Sequence, residues 1–312
     1  MKILIYLHHP AHFHLFKNII KGLKINNEII IIATKKDILE DLLKNEGISY
    51  INVLPKGRRD NKFSIALSLL KQDFRLLKIC LKEKPDILVG TSTEIAHIGK
   101  ILNIPSLFLN EDDIDVVPLV GKIAYPFAKH LITPDICNTG KWDFKTLRYK
   151  SFHELAYLHP NNFKPNKSLV SKTLNPDNHY FILRFAKLGA HHDFGIKGLH
   201  DDLIYKIINM LDPHGKILIT SERKLDKRFE KYKININPNE IHHFMYYSSL
   251  FIGDSQTMAA ESAVLGVPFI RFNDFVGRIS YLDELEKKYL LGFGIKTNDQ
   301  NKYYILLKKF LI

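Results

Sequence analysis

Short runs of β-branched and apolar residues alternate with longer stretches of helical periodicity along this chain, and no other feature restricts its possible folds as strongly. Parallel strands cannot be joined by tight turns and use helices as crossovers, so the rhythm implies parallel sheets covered by helices. Lys2–Leu7 reads as the first strand, and from His12 to Leu23 the residues Phe13, Phe16, Ile19, Ile20 and Leu23 recur at helical spacing. An Ile-rich strand at Glu28–Ala33, a helix at Lys36–Asn45 stopped by Gly47, and a strand at Tyr50–Val53 follow. A long amphipathic helix over Phe63–Lys84 ends at Pro85; strand Ile87–Val89 then opens into a Gly-Thr-Ser turn, before helix Ile95–Leu102 and strand Ser106–Leu109. This half closes near Leu131–Ile132.

From Asp135 to Lys172 the pattern loosens and turn residues gather, Pro160 and Pro165 among them, so the stretch reads as a linker. A second series then runs through strand Tyr180–Phe185, helix Asp201–Leu211, strand Lys216–Thr220, a strand–turn–helix at Leu250–Leu265 and strand Phe269–Arg271. A chain of 312 residues suits two domains. We place them at residues 1–157 and 158–312, with the last helix free to pack back on the first domain. The expected fold class is α/β, with two Rossmann-like parallel-sheet domains facing a central cleft.

Apolar residues at 46% and charged residues at 25% argue against disorder and against a membrane-spanning chain. No apolar run reaches the roughly 18–20 residues that a spanning helix needs. His8, His9 and Pro10 interrupt the first apolar run too early for a signal core, and Cys80 and Cys137 have no metal-ligand or disulfide-framework spacing. A reducing cytosol is the expected compartment. The formal charge of +12 suits acidic partners such as nucleotide phosphates, anionic lipid headgroups or nucleic acid, although lysine enrichment throughout the chain accounts for it equally well.

The most informative segment runs from Ser249 to Pro268. A strand reaches Gly253, turns through Asp254 and Ser255, and launches a helix at Gln256 and Thr257. Orphan amide donors and the positive dipole end coincide there, which makes an anion site suited to a diphosphate. Glu261, four residues after Thr257, would accept bonds from ribose hydroxyls; the plainer reading is an N-cap and a solvated helix carboxylate. Beyond the strand Tyr180–Phe185, Arg184 and Lys187 could neutralise phosphate, and His191, His192 and Asp193 form a titratable cluster.

In the first half, His8, His9, His12 and His14 crowd one strand exit without an adjacent carboxylate, so no metal is expected; His12 is placed toward the cleft and His14 is partly structural. Asn110-Glu-Asp-Asp-Ile-Asp115 follows another strand, where stacked carboxylates could raise one pKa and make Glu111 a general base, or form only an acidic loop. Phe63, Leu67, Leu70, Phe74 and Leu77, preceded by Lys56, Arg58, Arg59 and Lys62, would suit a membrane surface holding a lipid-linked acceptor, or simply pack on their own sheet.

These residues resemble a known family. His9-Pro-Ala-His, Thr133-Pro, His153-Glu-Leu-Ala-Tyr-Leu-His-Pro160, Arg184-Phe, His192-Asp, Lys197-Gly-Leu, Ile241-His242, Tyr246-Tyr247 and Gly253-Asp-Ser-Gln-Thr-Met-Ala-Ala-Glu261 together are similar to DUF354 over nearly the whole chain. The resemblance implies a GT-B-like fold related to the non-hydrolysing UDP-N-acetylglucosamine 2-epimerases and to lipid-linked N-acetylglucosaminyl transferases. It further implies a nucleotide-sugar role in surface polysaccharide or glycolipid synthesis, with Ser255–Thr257 on the diphosphate and Glu261 on the ribose. Leu188-Gly-Ala-His-His-Asp193 and Asn110-Glu-Asp-Asp113 depart from the family strings Trp-Asn-Ala-Ser-His-Asp and Asp-Thr-Glu-His.

The expected reaction is therefore glycosyl transfer from a nucleoside diphosphate sugar, UDP-linked for preference, to a saccharide or lipid-linked acceptor. The nucleotide-sugar set is Arg184, Lys187, Gly253, Asp254, Ser255, Gln256, Thr257 and Glu261; the catalytic set is His12, Glu111, His192 and Asp193. No cofactor and no obligatory metal are expected, because cationic groups and a helix dipole can carry the leaving diphosphate. Competing readings are 2-epimerisation of a UDP-N-acetylhexosamine and a non-catalytic nucleotide-sugar binder. Nucleic-acid binding is disfavoured by the lack of an aromatic stacking motif. The expected location is cytoplasmic, with peripheral contact at the inner membrane face.

Overall fold

In β1 (Lys2–Leu7) successive side chains point to opposite faces, and both faces are covered. Ile3, Ile5 and Leu7 share a core with Phe13, Phe16 and Ile20 of α1 (Pro10–Leu23) and with Leu39, Leu42 and Leu43 of α2 (Leu39–Asn45). Leu4 and Tyr6 share another with Leu76 and Cys80 of α3 (Lys62–Glu83) and Ile95, Ala96 and Ile98 of α4 (Thr93–Leu102). The computed structural model describes residues 1–36, 38–55, 62–186, 199–297 and 299–311. They fall into two units, Met1–Tyr157 and Leu158–Ile312.

The first unit adds β2 (Glu28–Thr34), β3 (Ile51–Leu54), β4 (Ile87–Gly90), β5 (Ser106–Leu109), β6 (His130–Pro134) and β7 (Thr146–Tyr149), with α5 at Pro118–Ile123 and α6 at Leu155–Leu158. All seven strands are parallel, in the order β3-β2-β1-β4-β5-β6-β7. Chain order therefore reverses between β1 and β4, and ligands of open α/β sheets bind beyond the carboxyl ends of strands at such a switch point.

The second unit holds α7 (Lys167–Val170), β8 (Tyr180–Phe185), α8 (Asp201–Leu211), β9 (Lys216–Ser221), α9 (Ile241–Tyr247), β10 (Leu250–Gly253), α10 (Gln256–Val264), β11 (Phe269–Phe272), α11 (Ser280–Asp283), β12 (Gly292–Ile295) and α12 (Gln300–Leu311). Its strands are also parallel, in the order β12-β11-β10-β8-β9, with the switch point between β8 and β10. Phe181, Leu183 and Phe185 of β8 pack with Ile204, Ile207 and Leu211 of α8 and with Tyr303, Leu306 and Leu307 of α12. The last helix, left free above to pack elsewhere, is thus part of this core. The chain is α/β with two Rossmann-like sheets.

Both switch points use the same device. A Cβ on Gly90, where β4 leaves β1, would lie 2.7 Å from the Tyr6 carbonyl oxygen; one on Gly253, where β10 leaves β8, would lie 2.6 Å from that of Arg184. Close strand approach by itself requires glycine at 253.

Two expectations are corrected. The stretch read as a linker contains β7, paired with β6 from Leu131↔Thr146 to Pro134↔Tyr149. As an edge strand with Leu147 exposed, it lacks the apolar run that marks its neighbours. In α3, Leu76 and Cys80 face the sheet and Leu77 packs beside them, but Leu67, Leu70 and Phe74 are exposed, so only part of this row packs on its own sheet. Lys56, Arg58 and Arg59 and the side chains of Lys62 and Phe63 lie outside the described residues.

Candidate functional site

The carboxyl edge of each sheet gathers polar side chains, and the two edges are described in turn. In the first unit, His9 caps α1, its Nδ1 accepting from the Ala11 N–H at 3.2 Å, with Pro10 in the first turn. This start sets His12 beside Thr91, the residue after β4: Thr91 Oγ1 lies 2.7 Å from His12 Nδ1 and 3.0 Å from Nε2. His12 Nδ1 also accepts from the His8 N–H at 3.3 Å. An accepting Nδ1 leaves the proton of the neutral ring on Nε2. Burial, reinforced by His9, Lys36 and His153, holds the His12 pKa well below the usual imidazole range. At neutral pH this ring is an unprotonated base. His14 is buried against Phe13 and Tyr157, with ring centroids 5.3 Å away in each case.

The acidic stretch after β5 does not stack its carboxylates. Asp113 is buried and accepts from the Asn138 N–H at 2.7 Å; Asn110 donates to the Tyr125 hydroxyl at 2.9 Å; Glu111 instead meets His153, Oε2 to Nδ1 3.0 Å. The group facing Glu111 is thus an imidazole. The His153 ring stacks on Tyr149, the last residue of β7, at 6.2 Å and 11°. His153 Nε2 and the Tyr149 hydroxyl are buried and meet no hydrogen-bonding partner among the described residues. Buried polar atoms in that state are ones a bound ligand would satisfy. Burial, with Glu111 next in weight, pushes the Tyr149 phenol up, so it remains a donor. Thr91, Tyr149 and His153 were not among the expected site residues. Each follows or ends a strand at this edge, which is the signal that could have found them.

In the second unit, Ser255 caps α10, its Oγ accepting from the Met258 N–H at 3.4 Å. The first intrahelical bond runs from Ala259 N–H to Ser255 O at 3.2 Å, so the amides of Gln256 and Thr257 precede it. Both residues are half-buried. Asp254 is anchored within the turn through one of its oxygens. It is buried, its Oδ1 accepts from the Ala186 N–H at 2.6 Å, and its Oδ2 lies 3.8 Å from Arg223 Nη2. Burial raises its pKa to about 6. Asn273, fully buried, donates to the Asp254 carbonyl at 3.2 Å and accepts from the Phe275 N–H at 2.8 Å, locking this turn to the one after β11.

Arg184 reaches the same edge with its guanidinium paired to Glu222. Arg223, two residues past β9, adds a second guanidinium that stacks 5.4 Å above the Phe185 ring. Its position after a strand end was visible, but a lone arginine among many basic residues carried no signal. Glu261 is not a solvated carboxylate: it is buried with its Oε1 2.9 Å from His242 Nε2, a pairing to α9 that the helix pattern alone did not reveal. In β11, Arg271 is fully buried and bonds Glu286 Oε1 at 3.0 and 2.7 Å. Lys187, His191, His192 and Asp193 lie outside the described residues. A pocket of about 430 Å³ lined by Asp177, His179, His214 and Lys216 opens at the opposite edge, where β8 and β9 begin, away from the turn at Asp254.

The sequence matches the family described as "Protein of unknown function (DUF354)" over residues 1–284. No curated protein matches it. Among solved structures, the UDP-GlcNAc 2-epimerase from Methanocaldococcus jannaschii superposes with a TM-score of 0.69 at 16% identity, covering 100% of this chain and 92% of that one. The Neisseria meningitidis UDP-GlcNAc 2-epimerase bound to UDP-GlcNAc gives 0.66 at 14%, covering 99% and 92%. A spinosyn rhamnosyltransferase complexed with spinosyn aglycone gives 0.62 at 11%, covering 100% and 90%. At these identities the likeness concerns the fold, which is GT-B-like.

Proposed function

The chain belongs to the DUF354 family, and from that premise we propose that it is an enzyme acting on a nucleoside diphosphate sugar, with glycosyl transfer as its reaction. The observation that carries the proposal is that the α10 start, Arg184 near the end of β8 and Arg223 just after β9 all stand at the carboxyl edge of the second sheet, beside its switch point. Amide donors, a positive dipole end and two forked cations suit a diphosphate, and they stabilise the negative charge that develops as it leaves. The solved structures of like fold are UDP-sugar enzymes and a sugar transferase by name, which supports this reading.

In the first unit the acceptor's hydroxyl gives its proton to Thr91 Oγ1 as the Thr91 proton passes to Nδ1 of His12, which is neutral at working pH. Tyr149 and His153 offer donors for the acceptor's other polar groups. The cationic groups on the second edge make a divalent metal dispensable in this scheme. A polysaccharide or glycolipid precursor is the proposed acceptor.

A second reading, 2-epimerisation of a UDP-N-acetylhexosamine, is favoured by the Glu111–His153 pair, in which a carboxylate positioned by an imidazole could remove a carbon-bound proton. Deuterium uptake at C2 in heavy water without acceptor separates the two readings: uptake indicates epimerisation, its absence with acceptor-dependent release of nucleoside diphosphate indicates transfer. The shared premise is tested by thermal shift with UDP, GDP and their sugars. Ligand at about 100 times Kd stabilises by about 2.7 kcal/mol, a shift of several degrees. Thr257→Glu, which sets an anion at the helix start, should abolish the shift. If no nucleotide raises the wild-type Tm, the proposal fails.

A further inference from the structure

Helix α3 buries one face against the fold and leaves an apolar stripe exposed on the other. Ser68, Gln72, Leu76 and Cys80, four residues apart, turn inward, each less than 10% exposed. On the other side Leu67, Leu70, Phe74 and Leu81 are 42%, 66%, 57% and 58% exposed. Their three-, four- and seven-residue steps keep them on one stripe, roughly opposite the buried row. Single exposed apolar side chains are ordinary, whereas a row of four on one helix marks a surface that meets something.

The flanks of the stripe identify the partner's chemistry. Lys71, Lys78, Lys82 and Lys84 are exposed along it. Lys78 Nζ sits 4.5 Å from the Phe74 ring centroid, so a cation lies directly beside the apolar stripe. The acidic groups of the segment are engaged: Asp73 by His97 at 2.9 Å, and Glu83 by Lys82 at 3.6 Å and Lys2 at 4.0 Å. The surface is apolar along its ridge and cationic at its sides. A second copy of the chain would set lysines against lysines, in a protein that already carries +12. A bilayer with anionic headgroups complements both parts, because acyl boundary and phosphates lie at successive depths. No helix among the described residues is long and apolar enough to cross a membrane, so the contact is peripheral.

We propose that the outer face of α3 docks on a membrane surface rich in anionic lipid, with Leu70 and Phe74 entering the boundary between headgroups and acyl chains and the lysines meeting lipid phosphates. This inference stands apart from the reaction proposed above, since it concerns a surface that contributes no residue to either polar edge.

The test is co-sedimentation of the full chain with vesicles of phosphatidylcholine alone and of phosphatidylcholine mixed with phosphatidylglycerol. Wild type should pellet only with the mixed vesicles, and raising salt from about 0.1 M to about 1 M should release it as the screening length shrinks from about 10 to about 3 Å. Leu70→Glu with Phe74→Glu should lower partitioning by about tenfold or more, and Lys71→Glu with Lys78→Glu should weaken it with a shallower salt dependence. Thermal melting checks that each variant folds; should the glutamate pair not fold, Leu70→Ser with Phe74→Ser replaces it. Three results overturn the proposal: wild type that ignores phosphatidylglycerol, binding unaltered by the Leu70 and Phe74 substitutions, or a wild-type dimer in sedimentation velocity that Phe74→Glu dissolves.

Discussion

Half-buried His12 and buried Asp254 respond to pH in opposite senses. The folded protein resists protonating His12, whose pKa lies well below its ordinary value, whereas the unfolded chain protonates it near about 6.5. Folding stability tied to His12 is therefore complete above that value and is lost as pH falls below it, at up to about 1.4 kcal/mol per pH unit for one proton. His12→Gln should flatten urea-unfolding stability between about pH 6.5 and 5, while the wild type declines over that window. Asp254 works the other way. Its folded pKa is raised from 3.8 to about 6, so the stability it contributes is present below pH 4 and is lost as pH rises toward 6, on the order of 3 kcal/mol in all. Asp254→Asn keeps an acceptor for the Ala186 N–H and removes the titration; relative to wild type it should gain stability between pH 4 and 7 in the same unfolding assay. Equal pH profiles for variant and wild type would refute either assignment. At this scale the sequence showed which residues stand at strand ends, and so it exposed His12, Glu111, Arg184 and Ser255 as candidates. It could not show which way a side chain turns. Asp254 and Ser255 are adjacent in one turn, but one faces the backbone after β8 and the other the α10 amides. Glu261 reads as a surface helix carboxylate until His242, nineteen positions earlier, is brought against it.

Strands β4 and β10 end in glycines whose missing side chains let a neighbouring strand's carbonyl approach. Gly253→Ala would force β10 away from Arg184 in β8, and Gly90→Ala would force β4 away from Tyr6 in β1. Neither neighbour is a flexible side-chain tip that can swing aside. Each substitution should cost about 1–3 kcal/mol in denaturant unfolding, while Gly22→Ala, where nothing lies within 4 Å, should not destabilise. A cost below about 0.5 kcal/mol at both strand ends would mean that the sheets yield more easily than close packing allows. Elements covered on two faces were legible because burial demands continuous apolar runs: β1, β5, β8 and α8 lie where periodicity puts them. Elements with weaker demands were hidden. β7 is an edge strand with only one hydrogen-bonding neighbour, and β12 carries two glycines because the Phe269 ring and the Glu286 carboxylate occupy the space that side chains would need. Helix α9, of seven residues, is too short to display a period, although His242 and Phe244 on it are buried.

On the scale of the whole molecule, the candidate site residues stand at the carboxyl edge of each sheet, while a pocket of about 430 Å³ in the second unit opens at the amino edge, beside Tyr180 and Lys216. This pocket and the donor groups thus lie at different ends of the same sheet, and a binding experiment can choose between them. A diphosphate needs several donors converging on it, which the pocket's mixture of Asp177, His179, His214 and Lys216 supplies less well than the α10 start with Arg184 and Arg223. Parallel sheets reinforce that choice, because the helices that follow their strands begin at the carboxyl edge and point their positive ends there. Hydrogen exchange read by mass spectrometry, with and without saturating nucleotide sugar, should therefore slow in peptides spanning Gly253–Met258 and Phe185–Ala186 and stay unchanged in those spanning Asn175–Tyr180 and His214–Lys216. Slowing at Thr91 and at Tyr149–His153 should require an acceptor as well as the nucleotide sugar, since the second unit alone holds the leaving group in the proposed reaction. Protection confined to the amino-edge pocket would move the ligand to the other end of the sheet, and would leave the arginines at 184 and 223 as partners of Glu222 and Asp254 only.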